Sequence, residues 1–229
     1  MTALPDLAPL WLTLRLAALV TALLLLLGTP LAWWLARSRA RLVPLIEALT
    51  ALPLVLPPTV LGFYLLLAFN PQAPLGAAWV SLTGETLTFS FAGLVLASLL
   101  YSLPFTVQPL QAAFSALGPA PLETAASLGA RPFDAFLTVA LPLSLRGYLT
   151  AAVLTFAHTL GEFGVVLMVG GNIPGETRLI SIAIYEQVER ADYPAAHVLS
   201  ALLVALSFAV LLALYAINRR AGRSSGRRA

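Results

Sequence analysis

Long apolar stretches are the feature that most limits how this chain can fold. A helix needs about 20 mostly apolar residues to cross the hydrocarbon core of a bilayer. Stretches of that length run over, or lie within, residues 10–36, 42–69, 86–122, 141–169 and 195–217. Charged residues make up only 10% of the chain, against roughly 25% in soluble proteins. The sequence therefore predicts an all-α integral membrane protein with about five transmembrane helices, forming one domain over residues 10–218 with a basic tail over 219–229.

The arginines indicate how these spans are oriented. Nine of the thirteen fall between spans one and two, between spans three and four, or after span five: Arg37, Arg39, Arg41, Arg131, Arg219, Arg220, Arg223, Arg227 and Arg228. Because positively charged loops stay in the cytoplasm, we expect the N-terminus outside and the C-terminus, with the basic tail, in the cytoplasm. Residues 70–86 and 171–194 then face outward. Within them, residues 179–190 have an apolar half and a charged half, which favours a partly embedded external helix over a sixth span.

Several residue types and motifs are absent, and their absence excludes classes of function. Without cysteine the chain has no disulfide and no thiol-ligated metal. Without lysine it has no Gly-x-x-x-x-Gly-Lys-Ser/Thr loop for ATP. No His-Glu-x-x-His motif occurs, and the two histidines lie on different spans, which argues against an intramembrane enzyme. Arginines that cluster at span boundaries indicate topology and contact with membrane lipid, so no nucleic-acid partner is expected.

The second apolar stretch has too many prolines for a plain helix. Pro53, Pro57 and Pro58 lie inside it, and each internal proline removes a backbone hydrogen bond and bends the axis. Carbonyl groups freed at membrane depth need partners in protein or in a water-lined cavity. Residues 52–62 are therefore a candidate for the lining of a translocation path. A merely bent, lipid-facing helix is the alternative.

Residues 118–142 predict a two-armed helical elbow between spans three and four. Its turn signals are a Gly-Pro pair after span three, a proline at the start of each arm and a glycine between the arms: Gly118, Pro119, Pro121, Pro132 and Gly129. Glu123 falls in the first turn of the first arm, where the helix dipole favours an acid. A simple linker would not need turn signals and helix-start signals at such specific positions.

The spacing within this elbow resembles the coupling motif of ABC-importer permeases, which reads Glu-Ala-Ala, three residues, Gly, nine residues, Ile-x-Leu-Pro. Thr124 replaces the usual Ala and Val139 the usual Ile. The resemblance implies that the elbow couples the chain to an ATP-binding subunit. The residues that it assigns to this role are Glu123, Ala125, Ala126, Gly129, Leu141 and Pro142. We expect Leu122, Ala125 and Ala126 to pack into a groove of that subunit.

Two further segments are similar to the molybdate permeases of bacteria. They are residues 52–62 and residues 160–164 (Leu-Gly-Glu-Phe-Gly), the latter followed by 171–178 (Gly-Asn-Ile-Pro-Gly-Glu-Thr-Arg). Sulfate permeases are similar over 161–164 but diverge at 171–178. The resemblance implies a homodimer of this chain, two copies of an ABC ATP-binding subunit and an extracytoplasmic molybdate-binding protein. ATP and Mg belong to the partner subunit, and this chain itself needs no cofactor.

The same segments supply candidates for the translocation path or its gate: Pro57, Pro58, Gly161, Glu162, Gly164, Asn172 and Arg178. An acid inside a span is costly and marks a functional or cavity-facing site. We expect Glu162 to pair with a helix terminus or an arginine and to fix a bend at 161–164, rather than to bind an anion. His158, one turn earlier, lacks a third metal ligand, so an interior, hydrogen-bonded histidine is favoured. Arg178 either steers an oxyanion at the outer mouth or pairs with Glu176.

The sequence thus predicts the non-catalytic permease subunit of an ATP-driven molybdate importer in the bacterial cytoplasmic (inner) membrane. Alternating access would be driven through the coupling loop, residues 119–142. A sulfate, thiosulfate or tungstate permease is the nearest alternative. A secondary transporter that does not use ATP is the alternative from another class, although such proteins commonly carry internal repeats and none is visible here.

Overall fold

The computed structural model describes residues 6–225, and this part of the chain is mostly helical and contains no strand. Its helices are α1 (Ala8–Arg37), α2 (Val43–Val55), α3 (Pro58–Phe69), α4 (Pro74–Thr83), α5 (Phe91–Leu117), α6 (Ala120–Ser127), α7 (Pro132–Ala135), α8 (Leu141–Leu143), α9 (Leu145–Leu160), α10 (Gly164–Gly170), α11 (Ile180–Glu189) and α12 (Tyr193–Ser225), with a π-helical turn at Phe136–Ala140. The prediction of an all-α chain is confirmed. Helix α12 continues into the segment assigned to the basic tail, and Arg227 and Arg228 of that tail lie outside the described residues.

Proline determines where most of these helices begin. It stands at the first or second position of α1, α2, α3, α4, α6, α7 and α8. The N–H groups of a first turn have no partner within the helix, so the missing N–H of proline costs nothing there. Helix α5 begins differently: the Ser90 side chain accepts a hydrogen bond from the Gly93 N–H at 3.1 Å, which is an ordinary N-cap.

Three helices are long and apolar enough to cross a bilayer on their own: α1, α5 and the Tyr193–Ala213 part of α12. Two helix pairs reach that length only together. They are α2 with α3, bent by 112°, and the Pro132–Leu143 segment with α9, bent by 71°. The prediction of about five spans therefore holds if each bent pair counts as one span.

The structure confirms two predictions of irregular elements and corrects one of a loop. The second apolar stretch, predicted not to be a plain helix, is two helices with a break at Leu56 and Pro57. The bend predicted at 161–164 is confirmed as the break between α9 and α10, and the same apolar stretch, 141–169, is also bent at Ser144. The prediction of a loop at residues 70–86 was wrong: they contain the whole of α4, which is capped by Gly84 with a left-handed φ of 76°. The helix predicted at 179–190 is confirmed as α11.

The core of the bundle lies where α1, α5 and α9 pack along one another. One buried apolar cluster lies near the start of α1 and another near its end, around Leu16, Val20, Leu24 and Leu94, and around Leu35, Val107, Leu110 and Phe114. Helix α11 is attached to α1 by a hydrogen bond from the Ile180 N–H to the Thr13 hydroxyl oxygen at 2.9 Å. This bond satisfies one of the free N–H groups at the start of α11.

Glycines allow α3 and α10 to approach closely. A Cβ added at Gly164 would lie 2.9 Å from the Pro58 Cβ, and one added at Gly62 would lie 2.9 Å from the Met168 Cβ. Both distances are shorter than van der Waals contact. In lipid, helix pairs are held by close packing rather than by the hydrophobic effect, and small residues are what permits that packing. These contacts hold the second halves of the two broken stretches against each other.

Replacing Gly164 by Ala should therefore destabilise the protein, because overpacking a tight contact costs about 1–3 kcal/mol. The measurement is the thermal unfolding midpoint of the purified protein in detergent. Gly161→Ala is the matched control: its added Cβ would meet nothing closer than 3.7 Å, and its φ of −96° suits alanine. Equal midpoints for the two variants would contradict the proposed close packing of α3 on α10.

Candidate functional site

The two broken stretches meet at one cavity of about 580 Å³. Its lining comes from α3, α5, the end of α9 and α10: Pro58, Thr59, Tyr101, His158, Gly161, Glu162, Phe163, Gly164, Leu167 and Met168. Four of the predicted path residues are in that list, and Pro57 is adjacent at the break before α3. Two segments that lie about a hundred residues apart in the sequence thus form one site. Asn172 and Arg178 do not line it.

Glu162 is held by hydroxyl groups of α5. Its side chain is fully buried, and its two carboxylate oxygens accept hydrogen bonds from the hydroxyls of Ser98 (2.5 Å) and Ser102 (2.7 Å). Its backbone carbonyl accepts a third from the Ser181 hydroxyl. The expected partner of this carboxylate, a helix terminus or an arginine, was wrong in both forms, since side-chain hydroxyls of α5 bind it. Hydroxyl groups take the place of the expected partner, because a buried carboxylate needs hydrogen-bond donors whichever residues supply them.

A ladder of hydroxyl groups continues from this cluster along α5 and α9. Ser102 lies 3.0 Å from the Thr159 hydroxyl, and Thr106 lies 2.5 Å from the Thr155 hydroxyl. All four residues are completely buried. Hydrogen bonds between spans average about 0.6 kcal/mol each, so the ladder aligns the two helices more than it stabilises them. The ladder runs from the cavity toward the middle of α9.

His158 lies beside Glu162 and is packed between aromatic rings. Its Nδ1 atom is 2.8 Å from the Ser102 oxygen and 3.6 Å from a Glu162 carboxylate oxygen. Its ring stacks on Phe105, with centroids 3.9 Å apart, and contacts Tyr101. Within residues 6–225 no group of three or more metal-ligating side chains occurs. The favoured interpretation, an interior hydrogen-bonded histidine, is confirmed.

Asn172 and Arg178 form a separate polar network with α11. The Arg178 Nε donates to the Asn172 side-chain oxygen at 2.6 Å, and both side chains contact the carboxylate of Glu186. Arg190 pairs with the other oxygen of Glu186. The prediction that Arg178 could pair with Glu176 was wrong, since Glu186 is its acidic partner. The network ties residues 172–178 to α11.

Tyr185 on the same helix donates to the Glu189 carboxylate at 2.6 Å. This hydrogen bond raises the pKa of Tyr185 above its ordinary value, because the carboxylate stabilises the protonated phenol. Tyr185 and Glu186 of α11 are therefore both paired with nearby side chains.

The elbow has the two arms that the sequence predicts, α6 and α7, separated by Gly129. The Ala130 N–H donates to the Ala125 carbonyl (3.0 Å) and the Gly129 N–H to the Ala126 carbonyl (2.9 Å), which is the hydrogen-bond pattern of a Schellman cap. Gly129 has a φ of 86°, a left-handed conformation that costs other L-residues roughly 1–2 kcal/mol. A glycine is therefore required by the backbone at this point.

The side chains of the elbow differ from the prediction at Ala125. Only 8% of Ala125 is exposed, so little of its surface is left for packing against a partner. Glu123, Ala126 and Gly129 are exposed. The most exposed large apolar groups of the elbow are Leu128, 84% exposed, and Phe133, 70% exposed. The sequence alone did not single out Leu128.

Aromatic rings connect the elbow to the bundle. Phe136, in the π-helical turn, contacts Trp33 of α1 with centroids 5.0 Å apart, and Trp33 contacts Phe114 of α5 at 5.1 Å. Phe114 in turn contacts Tyr148 of α9. Leu141 is half-buried and Pro142 exposed in α8, where the chain turns into α9. Helix α9 then runs 16 residues, about 24 Å at 1.5 Å per residue, from the elbow to the cavity.

Serines of α5 are the site residues that the sequence reasoning missed. Ser98, Ser102 and Thr106 lie four residues apart and so share one helix face. A regular row of hydroxyls in an otherwise apolar span is a signal that could have identified them, because it implies a polar partner across the helix interface.

Comparison with known proteins shows the family. Residues 28–223 match the model of the family described as "Binding-protein-dependent transport system inner membrane component". The chain belongs to this family, and it is accordingly a multi-pass protein of the inner membrane and the membrane component of a transport system.

Individual relatives carry more specific names. The molybdenum transport system permease protein ModB of Azotobacter vinelandii is 58% identical over 220 residues, covering 96% of this chain and 97% of that protein. ModB of Escherichia coli (strain K12) is 35% identical over 185 residues, 81% of each chain. The sulfate transport system permease protein CysT of the same strain is 33% identical over 196 residues, 86% of this chain and 70% of that protein.

Solved structures agree on the fold. A chain of the MetNI methionine ABC transporter, in an inward-facing conformation, matches with a TM-score of 0.70 at 19% identity, over 93% of this chain and 94% of that one. A chain of a bacterial alginate ABC transporter, in complex with a periplasmic protein that holds an alginate pentasaccharide, matches with a TM-score of 0.75 at 16% identity, over 96% and 80%. The predicted transmembrane fold of an ABC importer is confirmed.

Loss of the Ser102 hydroxyl should reduce stability more when residue 162 is a glutamate than when it is an uncharged glutamine. We expect Ser102→Ala to destabilise the protein by about 1–3 kcal/mol, the cost of leaving a buried polar group without its donor. In a Glu162→Gln background the same change should cost less, since an amide is cheaper to leave unsatisfied than a carboxylate. Thermal unfolding of the four proteins in detergent gives the coupling energy; purely additive effects would contradict the assigned interaction.

Proposed function

We propose that this chain is the permease subunit of an ATP-driven importer that carries molybdate across the cytoplasmic membrane into the cell. The observation that supports molybdate is the 58% identity, over nearly the whole of both chains, to a protein named as a molybdenum transport system permease. The sulfate permease CysT of Escherichia coli, by contrast, is 33% identical to this chain and is longer than it. A sulfate, thiosulfate or tungstate permease is the second candidate.

The working complex contains two copies of this chain, two copies of an ABC ATP-binding subunit and an extracytoplasmic molybdate-binding protein. The chain does not hydrolyse ATP, because it lacks the lysine that an ATP-binding loop requires. Its contact with the ATP-binding subunit is the exposed surface of the elbow. Glu123 and Ala126 lie on that surface, and the outward-facing Leu128 and Phe133 are its apolar anchors.

Movement of the ATP-binding subunits reaches the cavity through α9. Closure of those subunits on ATP carries the elbow as a rigid element, since its cap holds the two arms together and Phe136 contacts Trp33 of α1 and Phe114 of α5. One end of α9 follows the elbow, and the other end carries Gly161 and Glu162 at the cavity. A displacement at the cytoplasmic end therefore changes the breaks at 56–57 and 161–163. Alternate opening of the cavity to the two sides follows from this.

The orientation proposed for the complex follows from the arginines. The elbow, the 37–41 loop and the end of α12 face the cytoplasm, and the N-terminus faces outward. The Asn172–Arg178–Glu186 network then lies on the outer side, where the binding protein docks. Selection of the oxyanion occurs mainly in that protein, because few polar groups line the cavity of this chain.

Uptake by the reconstituted complex tests the function. Proteoliposomes that contain the full complex should accumulate radioactive molybdate only with ATP and the binding protein, and vanadate should stop uptake whereas a protonophore should not. A hundredfold excess of unlabelled sulfate should leave the rate nearly unchanged. Strong competition by sulfate would contradict the molybdate proposal and indicate a sulfate permease. Uptake without ATP would indicate a secondary transporter.

Replacing Gly129 by Val should uncouple the complex. Valine is strained at a φ of 86°, and it should cost the elbow cap roughly 1–2 kcal/mol. We expect the variant to stay in the membrane, while molybdate uptake per ATP hydrolysed falls severalfold. Gly129→Asn is the matched control, because asparagine tolerates the left-handed conformation. Normal coupling in the valine variant would contradict the elbow as a rigid element.

A further inference from the structure

Phe89 has a backbone conformation that its side chain disfavours. Its φ is 57°, in the left-handed region that bulky residues rarely adopt. Within the part of the chain that the structure describes, Ala191 is the other non-glycine residue with a positive φ. Ala191 follows α11, where the Asp192 N–H donates to the Gln187 carbonyl, so an ordinary helix cap explains it. Phe89 precedes the start of α5, where no such cap is needed.

The conformation of Phe89 is held by contacts with the end of α10. The Phe89 N–H donates to the Val169 carbonyl at 2.8 Å, and this carbonyl is one of those that a last helical turn leaves without a partner. The ring lies against Gly171, since a Cβ added there would be 3.1 Å from the ring carbon Cδ1. Strained residues persist where the surrounding structure enforces them, and they cluster at ligand clamps and switch regions. The strain at Phe89 therefore indicates a role beyond joining two helices.

Residues on either side of Phe89 make the same attachment. Leu87 is fully buried and belongs to one apolar cluster with Val165 and Val169 of α10. A Cβ added at Gly170 would lie 2.5 Å from the Cδ2 atom of Leu94 in α5, so the two helices are in close contact there. The last turn of α10 is therefore packed on two consecutive elements, the loop before α5 and the first turn of α5.

Helix α10 forms one wall of the cavity between the two broken stretches, to which it contributes Gly164, Leu167 and Met168. The beginning of α10 follows the break at 161–163 and packs on α3. Its end is attached to the loop that contains Phe89, and in the proposed orientation this end faces the outside. The contacts of Phe89 thus fix the outer end of the cavity wall.

We propose that Phe89 is a positioning residue of transport. Together with Leu87 and Val169 it forms an outer clamp, which holds the last turn of α10 and keeps the cavity closed to the outside; release of the outer clamp opens the cavity to that side. This inference rests on the proposed function, which requires the cavity to open outward at one stage. The left-handed conformation makes the clamp releasable, because the ring contacts offset a conformational cost instead of adding to the net attraction.

The outer clamp can be reached from the outer side. Phe89 is 51% exposed and lines a second pocket of about 580 Å³, together with the charged residues Arg15, Glu85 and Glu176. The guanidinium carbon of Arg15 lies 4.7 Å from the centroid of the Phe91 ring. An aromatic side chain within a polar rim is typical of protein–protein contacts. In the proposed complex, the binding protein that seats over this pocket contacts Phe89 and, through it, α10.

Two substitutions separate the clamp from a merely structural contact. Phe89→Ala and Phe89→Asn both remove the ring, and both keep the N–H that binds Val169. Asparagine tolerates the left-handed conformation, whereas alanine is strained in it. We therefore expect Phe89→Asn to keep the outer clamp closed and Phe89→Ala to let it open.

A single cysteine in the cavity can report this opening, because the chain has none of its own. The reporter is Thr59→Cys in the cavity lining, and the control is Ser81→Cys, exposed on α4 and outside the clamp. The assembled complex is studied in right-side-out membrane vesicles, to which a membrane-impermeant thiol reagent is added. Mass spectrometry of this chain gives the labelling rate of Thr59→Cys relative to that of Ser81→Cys.

Phe89→Ala should raise this relative rate at least about fivefold in the resting complex, the smallest factor expected for losing a contact of this size. Phe89→Asn should stay near the parent value. ATP with loaded binding protein should raise the relative rate of the parent, because the clamp then opens in each cycle. If Phe89→Ala does not assemble, Phe89→Leu, which keeps part of the apolar contact, takes its place in the comparison with Phe89→Asn.

Three results would overturn the proposal or part of it. An unchanged relative rate in Phe89→Ala would overturn the outer clamp, and so would a parent rate that turnover does not raise. Equal increases in Phe89→Ala and Phe89→Asn would overturn the role of the left-handed backbone.

The same measurements distinguish failure of this inference from failure of the proposed function. Labelling of the resting complex needs neither molybdate nor sulfate, so its outcome does not depend on which oxyanion is carried. A complex that imports sulfate would contradict the molybdate proposal and leave the outer clamp standing. A complex that imports molybdate with ATP, but shows no change of labelling in Phe89→Ala, would overturn the outer clamp alone.

Discussion

A carboxylate buried in a membrane span has to be given hydrogen-bond donors, and in this protein α5 supplies them. The bonds from Ser98 and Ser102 to Glu162 fix the point at which the chain leaves α9, and so they fix where α10 begins. Because α10 packs on α3 through Gly164 and Gly62, the second half of the other broken stretch is positioned as well. One acid and two hydroxyls thereby anchor one wall of the cavity, and of the three only Glu162 lines it.

Breaks in membrane helices are tolerated only where other protein groups or water satisfy the freed backbone. Here the backbone carbonyl of Glu162, at the break, accepts the Ser181 hydroxyl, and the Pro57 carbonyl accepts N–H groups of the following turn. Both breaks lie near the cavity, and the unbroken helices α1 and α5 lie behind them. The bundle therefore combines unbroken helices with two broken stretches. In the proposed mechanism the breaks act as hinges, and α9 connects them to the elbow.

Local signals made much of this architecture predictable. The length of the apolar stretches predicted the helices, and the prolines with Gly129 predicted the two arms of the elbow. Of the three segments that resembled molybdate permeases, residues 52–62 and 160–164 contribute to one cavity, and residues 171–178 do not. What could not be predicted depends on contacts across the bundle. The pairing of Arg178 with Glu186 and the burial of Ala125 are set by helix packing, on which single residues in a sequence give no information. The hydroxyl partners of Glu162 left one signal, their regular spacing along α5. The helix α4 was missed because residues 70–86 are short and rich in turn formers, although Pro74 and Gly84 mark its two ends.

The position of the donors along the chain has a consequence for how the protein is made. Ser98 and Ser102 precede Glu162 by 64 and 60 residues, so α5 leaves the ribosome several seconds before the acid at a synthesis rate of about 5–20 residues per second. The hydroxyls that bind Glu162 are therefore synthesised before the acid that needs them. The most polar part of the fourth apolar stretch thus has its hydrogen-bond donors available as soon as it is made.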